Sequence, residues 1–194
     1  MVNGKPRFIK PGLFIFKKHD FDIYIKEHIN LDGSIKYFIF FKSKEMLIQS
    51  AVVIHKPTSV VFDYVKYCKN QDNFSVWNMA DPQKKTHYEG QDGEVGFIYS
   101  WDSTNKNVGA GTQEILSIKD GHSVTYQIRF ERPMKSVATA EFLLKEVNAH
   151  TTELSWNFAS PTKFPMNLFN FIFKRILVKD MTKSLANLKA VLES

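Results

Sequence analysis

The chain carries one cysteine, Cys68, in 194 residues. An intramolecular disulfide is therefore excluded, and a reducing compartment is the simplest setting. No Cys–His signature surrounds Cys68, which argues against a thiol nucleophile. No apolar run approaches the roughly 20 residues that a membrane-spanning helix requires. The opening MVNGKPRFIKPGLFIF is basic, but Pro11 and Gly12 break its short apolar stretch, which makes a poor signal peptide. These absences predict a cytoplasmic protein. The six histidines (19, 28, 55, 87, 122 and 150) show no metal-ligand spacing, so neither a metal nor a cofactor is expected. Gly90, Gly93 and Gly96 stand three apart, but a dinucleotide loop needs a strand before it and a helix after it. Both flanks here read as strands, so a hairpin turn is the better reading.

What the chain does have is an ordinary globular composition, 43% hydrophobic and 24% charged, with 17 phenylalanines. That length suits one domain with a sizeable core. The net charge of +6 is uneven. Residues 1–45 hold nine Lys/Arg against five Asp/Glu, whereas residues 46–194 are nearly neutral. No nucleic-acid motif accompanies the basic end, so nucleic acid is not an expected partner. Weak attraction of residues 1–45 to an anionic membrane surface is the more natural use of that charge. Within this extension, residues 21–42 alternate on either side of Asn30-Leu31-Asp32-Gly33, a hairpin signal.

From Met46 onward the pattern is continuous. Residues 46–55 read as a strand, and Pro57 then opens a short helix. Residues 70–78 suggest a second helical piece. Six further strands follow at 84–90, 95–103, 108–120, 122–131, 136–147 and 151–160, separated by turn residues as in an antiparallel meander. Val95, Phe97, Tyr99 and Trp101 share one face by alternation. So do Val124, Tyr126, Ile128 and Phe130, and so do Leu154, Trp156 and Phe158. The segment from Pro165 to Glu193 has helical periodicity, apolar nearly all round in its first half and amphipathic in its second. The first half should be buried on more than one side.

VVIHKPTSVVFDYV (52–65), NFSVW (73–77), YEGQDGEVGFIYSW (88–101), GAGTQEI (109–115), FERP (130–133), TTELSW (151–156) and LANLKAVLE (185–193) stand in one order that resembles the SRPBCC (START-like) superfamily, in particular its polyketide cyclase/dehydrase and lipid-transport branch. The resemblance covers about three-quarters of the chain and implies an α+β helix-grip fold. In that fold a seven-stranded antiparallel sheet wraps a long C-terminal helix, with two short helices after the first strand. It implies a helix-grip domain over residues 46–194 that binds, and in some relatives transports, a small hydrophobic or lipid-like molecule between sheet and helix. Some relatives carry out ring closure or hydration there, and the superfamily shares no catalytic triad. A cyclase/dehydratase-like enzyme and a protein-interaction module with a filled core therefore stand as alternatives.

The expected ligand-binding residues on the sheet are Phe97, Tyr99, Trp101, Tyr126, Ile128, Phe130, Phe142 and Trp156. Trp77 joins them from the second short helix, and Met166, Phe169 and Phe173 from the C-terminal helix. Trp and Tyr combine a large apolar body with one polar handle, which suits a ligand bearing an oxygen on a ring or head group. The alternative for each is ordinary core. Glu114 shares parity with Ala110, Thr112 and Leu116 and is the one candidate for a buried catalytic acid, since burial shifts carboxyl pKa values toward useful ones. Asp102 and Arg129 fall on the solvent parity.

Overall fold

The structure, a computed structural model, describes residues 45–162, 167 and 170–194. The hairpin expected at 21–42 lies outside the described residues. Seven strands form one antiparallel sheet in the order β1-β7-β6-β5-β4-β3-β2. They are β1 (Glu45–Ile54), β2 (Lys85–Glu89), β3 (Ile98–Asp102), β4 (Ala110–Lys119), β5 (Ser123–Arg132), β6 (Ser136–Asn148) and β7 (Thr151–Pro161). Between β1 and β2 lie helix α1 (Thr58–Val65), a 3-10 turn (Cys68–Asn73) and helix α2 (Val76–Met79). Helix α3 (Asn170–Glu193) closes the chain and packs along β1. This is a helix-grip fold, with every sheet connection short except the insert that carries α1 and α2.

Alternation decides which side chains meet α3. On β5, β6 and β7 the inward set is Val124, Tyr126 and Ile128; Ala138, Ala140, Phe142 and Leu144; and Leu154 and Trp156, all buried. Antiparallel register aligns them in rows across the sheet, such as Val124–Phe142–Trp156–Ser50. Leu185, Leu188 and Met181 of α3 close over this part of the sheet together with Val61, Phe62, Val65 and Phe74 from the insert. The polar atoms caught there are satisfied. The Tyr126 hydroxyl donates to the Val65 carbonyl at 2.9 Å, and the Val76 amide donates to Ser184 Oγ at 3.0 Å. Each would otherwise cost about 1–3 kcal/mol unpaired.

Two readings of the alternation are corrected. Val95 does not share the face of Phe97 and Tyr99: β3 starts only at Ile98, and Val95 stands exposed in the turn beside Gly96 (φ +90°). On β4 the inward residues are Gly111, Gln113 and Ile115, not the even positions. Register shifts at Ala110/Gly111 and Ile115/Ser117 put Ala110 and Leu116 at irregularities, where parity changes. The sequence, read as strictly alternating, therefore gives the wrong phase for this strand.

The Gly90–Gly96 segment is a hairpin turn, flanked by β2 and β3. Its Gly93 has φ +87°, and a Cβ there would meet the Tyr67 ring at 2.6 Å. Asp92 anchors the turn by accepting the Cys68 and Lys69 amides at 2.8 and 3.1 Å. The Cys68 thiol, almost fully buried beside Gln113 Nε2 at 3.6 Å, has its pKa pushed up to about 12, first by burial and then by the nearby Asp92 carboxylate. It is an inert core group rather than a nucleophile. Among the described residues no helix is long and apolar enough to cross a membrane.

Candidate ligand-binding cleft

The inner face of the sheet divides into a filled part and an open part. In the filled part, Phe142 meets Trp156, Tyr126 and Phe74 at ring-centroid distances of 5.0, 5.9 and 6.3 Å. Phe142 and Phe74 have no exposure at all, and Tyr126 has 1%. Phe97, Tyr99, Tyr126, Phe142 and Trp156 are therefore core: their faces are occupied by one another and by the insert. Ile128 lies at the edge of this cluster.

Toward the other end of the sheet the same inward alternation leaves large side chains only partly buried. Met46, Trp101, Phe130 and Phe158 share this condition; Trp77 of α2 is also partly buried and meets Trp156 of the filled part edge-on at 5.8 Å. Here the intervening inward positions are small: Ala138, Ser160 and Gly111. The Trp101 ring meets Phe130 edge-on at 6.1 Å and its Nε1–H donates to the Val108 carbonyl at 3.2 Å. A Cβ on Gly111 would lie 2.7 Å from the Trp101 ring, so glycine lets the indole lie flat on the strand. Phe173, Leu177 and Val178 of α3 are likewise partly buried. Met166 and Phe169 lie outside the described residues. Of the expected residues, Trp101 and Phe130 stand partly buried at this end of the sheet, Phe173 is partly buried on α3 and Trp77 packs on Trp156; Met46 and Phe158, not expected, are partly buried here as well. Phe158 carried a signal, its shared face with Trp156; Met46, next to the start of the first strand, carried none.

A concavity of about 700 Å³ adjoins this end. Most of its lining is on the face of the sheet away from α3 (Leu47, Gln49, Thr125, Thr139, Glu141, Asn157 and Ala159), with Ile48, Ala140, Phe158, Lys174 and Val178 from the α3 side; of the partly buried sheet residues above, Phe158 lines it and Met46, Trp101 and Phe130 do not. It is an open groove rather than a closed chamber.

Glu114 is not in the cleft. It faces the outer side of β4, where the Arg129 guanidinium holds it at 2.8 Å, because the register shifts invert the expected phase. The ionisable groups that do approach the interior are a network centred on Asp72 of the insert and, on α3, Asp180. Asp72 Oδ1 accepts from the Tyr99 hydroxyl at 3.0 Å, from Lys84 Nζ at 3.0 Å and from Asn78 Nδ2 at 2.9 Å. The Lys84 side chain is only 5% exposed, so this pairing is what makes its burial tolerable. Burial and the Asp72 charge push the Tyr99 pKa up, which keeps the hydroxyl a donor at all physiological pH. The network straps α2 to β3; each of its charges has a partner. Among the described residues no three His, Cys, Asp or Glu side chains cluster as a metal site would require.

Asp180, one turn beyond Leu177 on α3, faces Trp77, whose indole N–H it accepts. Its pKa is raised, chiefly because burial withholds water from the charged form, while Lys179, the Trp77 bond and Lys183 act in the lowering direction. The folded value stands above the unfolded one. The carboxyl's contribution to stability is therefore largest below the ordinary aspartate range and is lost as pH rises through the raised value. Asp180→Asn should accordingly gain stability relative to the wild type between pH 3 and pH 7. Thermal melts at the two pH values check this, and parallel shifts at both would contradict it.

A seven-stranded antiparallel sheet gripping a long C-terminal helix defines a helix-grip domain. The family model described as polyketide cyclase / dehydrase and lipid transport matches residues 47–193, and the chain belongs to that family, of SRPBCC type. Solved structures share the fold at low identity. Norcoclaurine synthase from Thalictrum flavum, in complex with dopamine and hydroxybenzaldehyde, is 10% identical, with a TM-score of 0.58 over 77% of this chain and 87% of its own. The di-domain ARO/CYC StfQ from the steffimycin biosynthetic pathway is 12% identical, with a TM-score of 0.57 over 77% of this chain and 51% of its own. A protein from Chromobacterium violaceum is 14% identical, with a TM-score of 0.55 over 77% and 98%. No curated protein sequence matches this chain.

Proposed function

We propose that the domain binds a small hydrophobic or lipid-like molecule in the cleft between the open end of the sheet and the first half of α3. The observation that carries this reading is the partial exposure of Met46, Trp101, Phe130 and Phe158 beside a cluster of almost fully buried aromatic residues. An apolar ligand would remove that surface from water at about 25 cal/mol per Å². Binding is preferred to catalysis because the Asp72–Lys84–Tyr99 groups near the interior are already bonded to one another. The family description, which spans cyclases and lipid transport, is compatible with either.

Native mass spectrometry of the purified protein, compared with its denatured mass, tests the proposal. The expected result is an additional mass that disappears on denaturation and is diminished in Trp101→Ala. A protein that carries no such mass, and that also fails to enhance the fluorescence of 1-anilinonaphthalene-8-sulfonate, would overturn it.

A further inference from the structure

The first turns of α3 expose two large apolar side chains that do not line the concavity. Phe171 and Ile172 stand 67% and 48% exposed, whereas Phe173, Leu177 and Val178 are partly buried. Among the described residues of the helix's first half, Phe171 and Ile172 depart from the expectation of burial on more than one side. Burying an aromatic and a branched aliphatic side chain is normally favourable, so leaving the two side by side in water calls for a partner. The charges beside them are all of one sign. Between residues 163 and 179 the sequence has Lys163, Lys174, Arg175 and Lys179 and no Asp or Glu. Arg175 lies over the Phe171 ring at 4.7 Å, so guanidinium and ring are held together. Lys174, Arg175 and Lys179 are exposed.

We propose that this end of α3 docks on an anionic lipid surface, with Phe171 and Ile172 entering the interface and Lys174, Arg175 and Lys179 meeting the head groups. An aromatic–aliphatic pair flanked by cations is the composition of an interfacial helix. Each basic side chain near an anionic surface adds roughly fivefold to partitioning. A protein surface partner would not need the charges to be uniformly positive; an anionic bilayer does. Docking there would turn the mouth of the cleft toward the lipid.

The test is co-sedimentation of the full chain with phosphatidylcholine vesicles, with and without about a third phosphatidylserine, at low and high salt. The wild type is expected to bind the anionic vesicles at least tenfold more tightly than the neutral ones, with the difference reduced by salt. F171S/I172S and R175E/K179E should each lower binding to anionic vesicles at least tenfold. Both replace exposed side chains, so melting temperatures should stay near wild type, and the ligand mass seen by native mass spectrometry should be retained. Loss of vesicle binding with the ligand mass retained supports docking independently of the cleft reading. Failure of the wild type to bind anionic vesicles would overturn it. So would wild-type binding by the two variants, which would move the contact to another basic part of the chain such as residues 1–45.

Discussion

Phe142→Ala is expected to lower the unfolding free energy by about 3–5 kcal/mol. Phe142 has no solvent exposure and sits at the meeting point of Trp156, Tyr126 and Phe74. Three rings from β5, β7 and the insert enclose it, and none can collapse into the space without leaving its own contacts. The loss is therefore transfer free energy plus most of a cavity. In a domain of this size each kcal/mol moves the melting temperature by about 2–4 °C, which places the variant about 6–20 °C below wild type. Calorimetry or a circular-dichroism melt reads this directly. A shift under about 3 °C would mean that the aromatic cluster is loosely packed, and the division of the inner face into a filled and an open part would fall with it.

Gly111→Ala is the second large effect, and it should act on the cleft as well as on stability. The added Cβ would lie 2.5 Å from the Arg129 carbonyl and 2.7 Å from the Trp101 ring. The carbonyl belongs to the β4–β5 ladder and yields little, so the indole must swing away and give up its bond to the Val108 carbonyl. Overpacking of this kind costs about 1–3 kcal/mol. Trp101 emission should move toward the red as its ring enters water, and the mass retained in native spectra should diminish. Wild-type melting together with an unshifted emission maximum would show that the strand accommodates the methyl group. By contrast Gly121, also at positive φ but with open space around it, offers no such clash.

The patterns that made the fold readable are local. Alternation in β5, β6 and β7 named Val124, Tyr126, Phe142, Leu154 and Trp156 as inward, because period-two burial follows from the pleat itself. Turn residues bounded the strands, and Pro57 marked the start of the first short helix. The insert was less regular than expected: residues 70–78 read as one helical piece, yet they fold as the 3-10 turn Cys68–Asn73 followed by α2. Asp92, reaching from the β2–β3 turn, caps the amides at the start of that turn, a contact between residues more than 20 apart. Glu114 shows the limit of parity. Its side is decided by where β4 is irregular against β5, and bulge positions depend on the partner strand rather than on the strand's own sequence.

The sequence by itself determined the order of elements and, apart from β4 and the approach to β3, which strand faces are apolar, since both rest on short-range periodicity and turn chemistry; the family was legible as a resemblance of ordered motifs. Only the tertiary structure decided which apolar residues are core and which border the cleft. Tyr126 and Trp101 look alike as inward aromatic residues in a strand. One is sealed in the core formed with the insert and the C-terminal half of α3, and the other stands partly buried where the inward neighbours are small. The same holds for the first turns of α3. Their apolar character is plain in the sequence, but whether Phe171 and Ile172 face the sheet or the solvent depends on how the helix lies across β1, a packing outcome that no residue fixes alone.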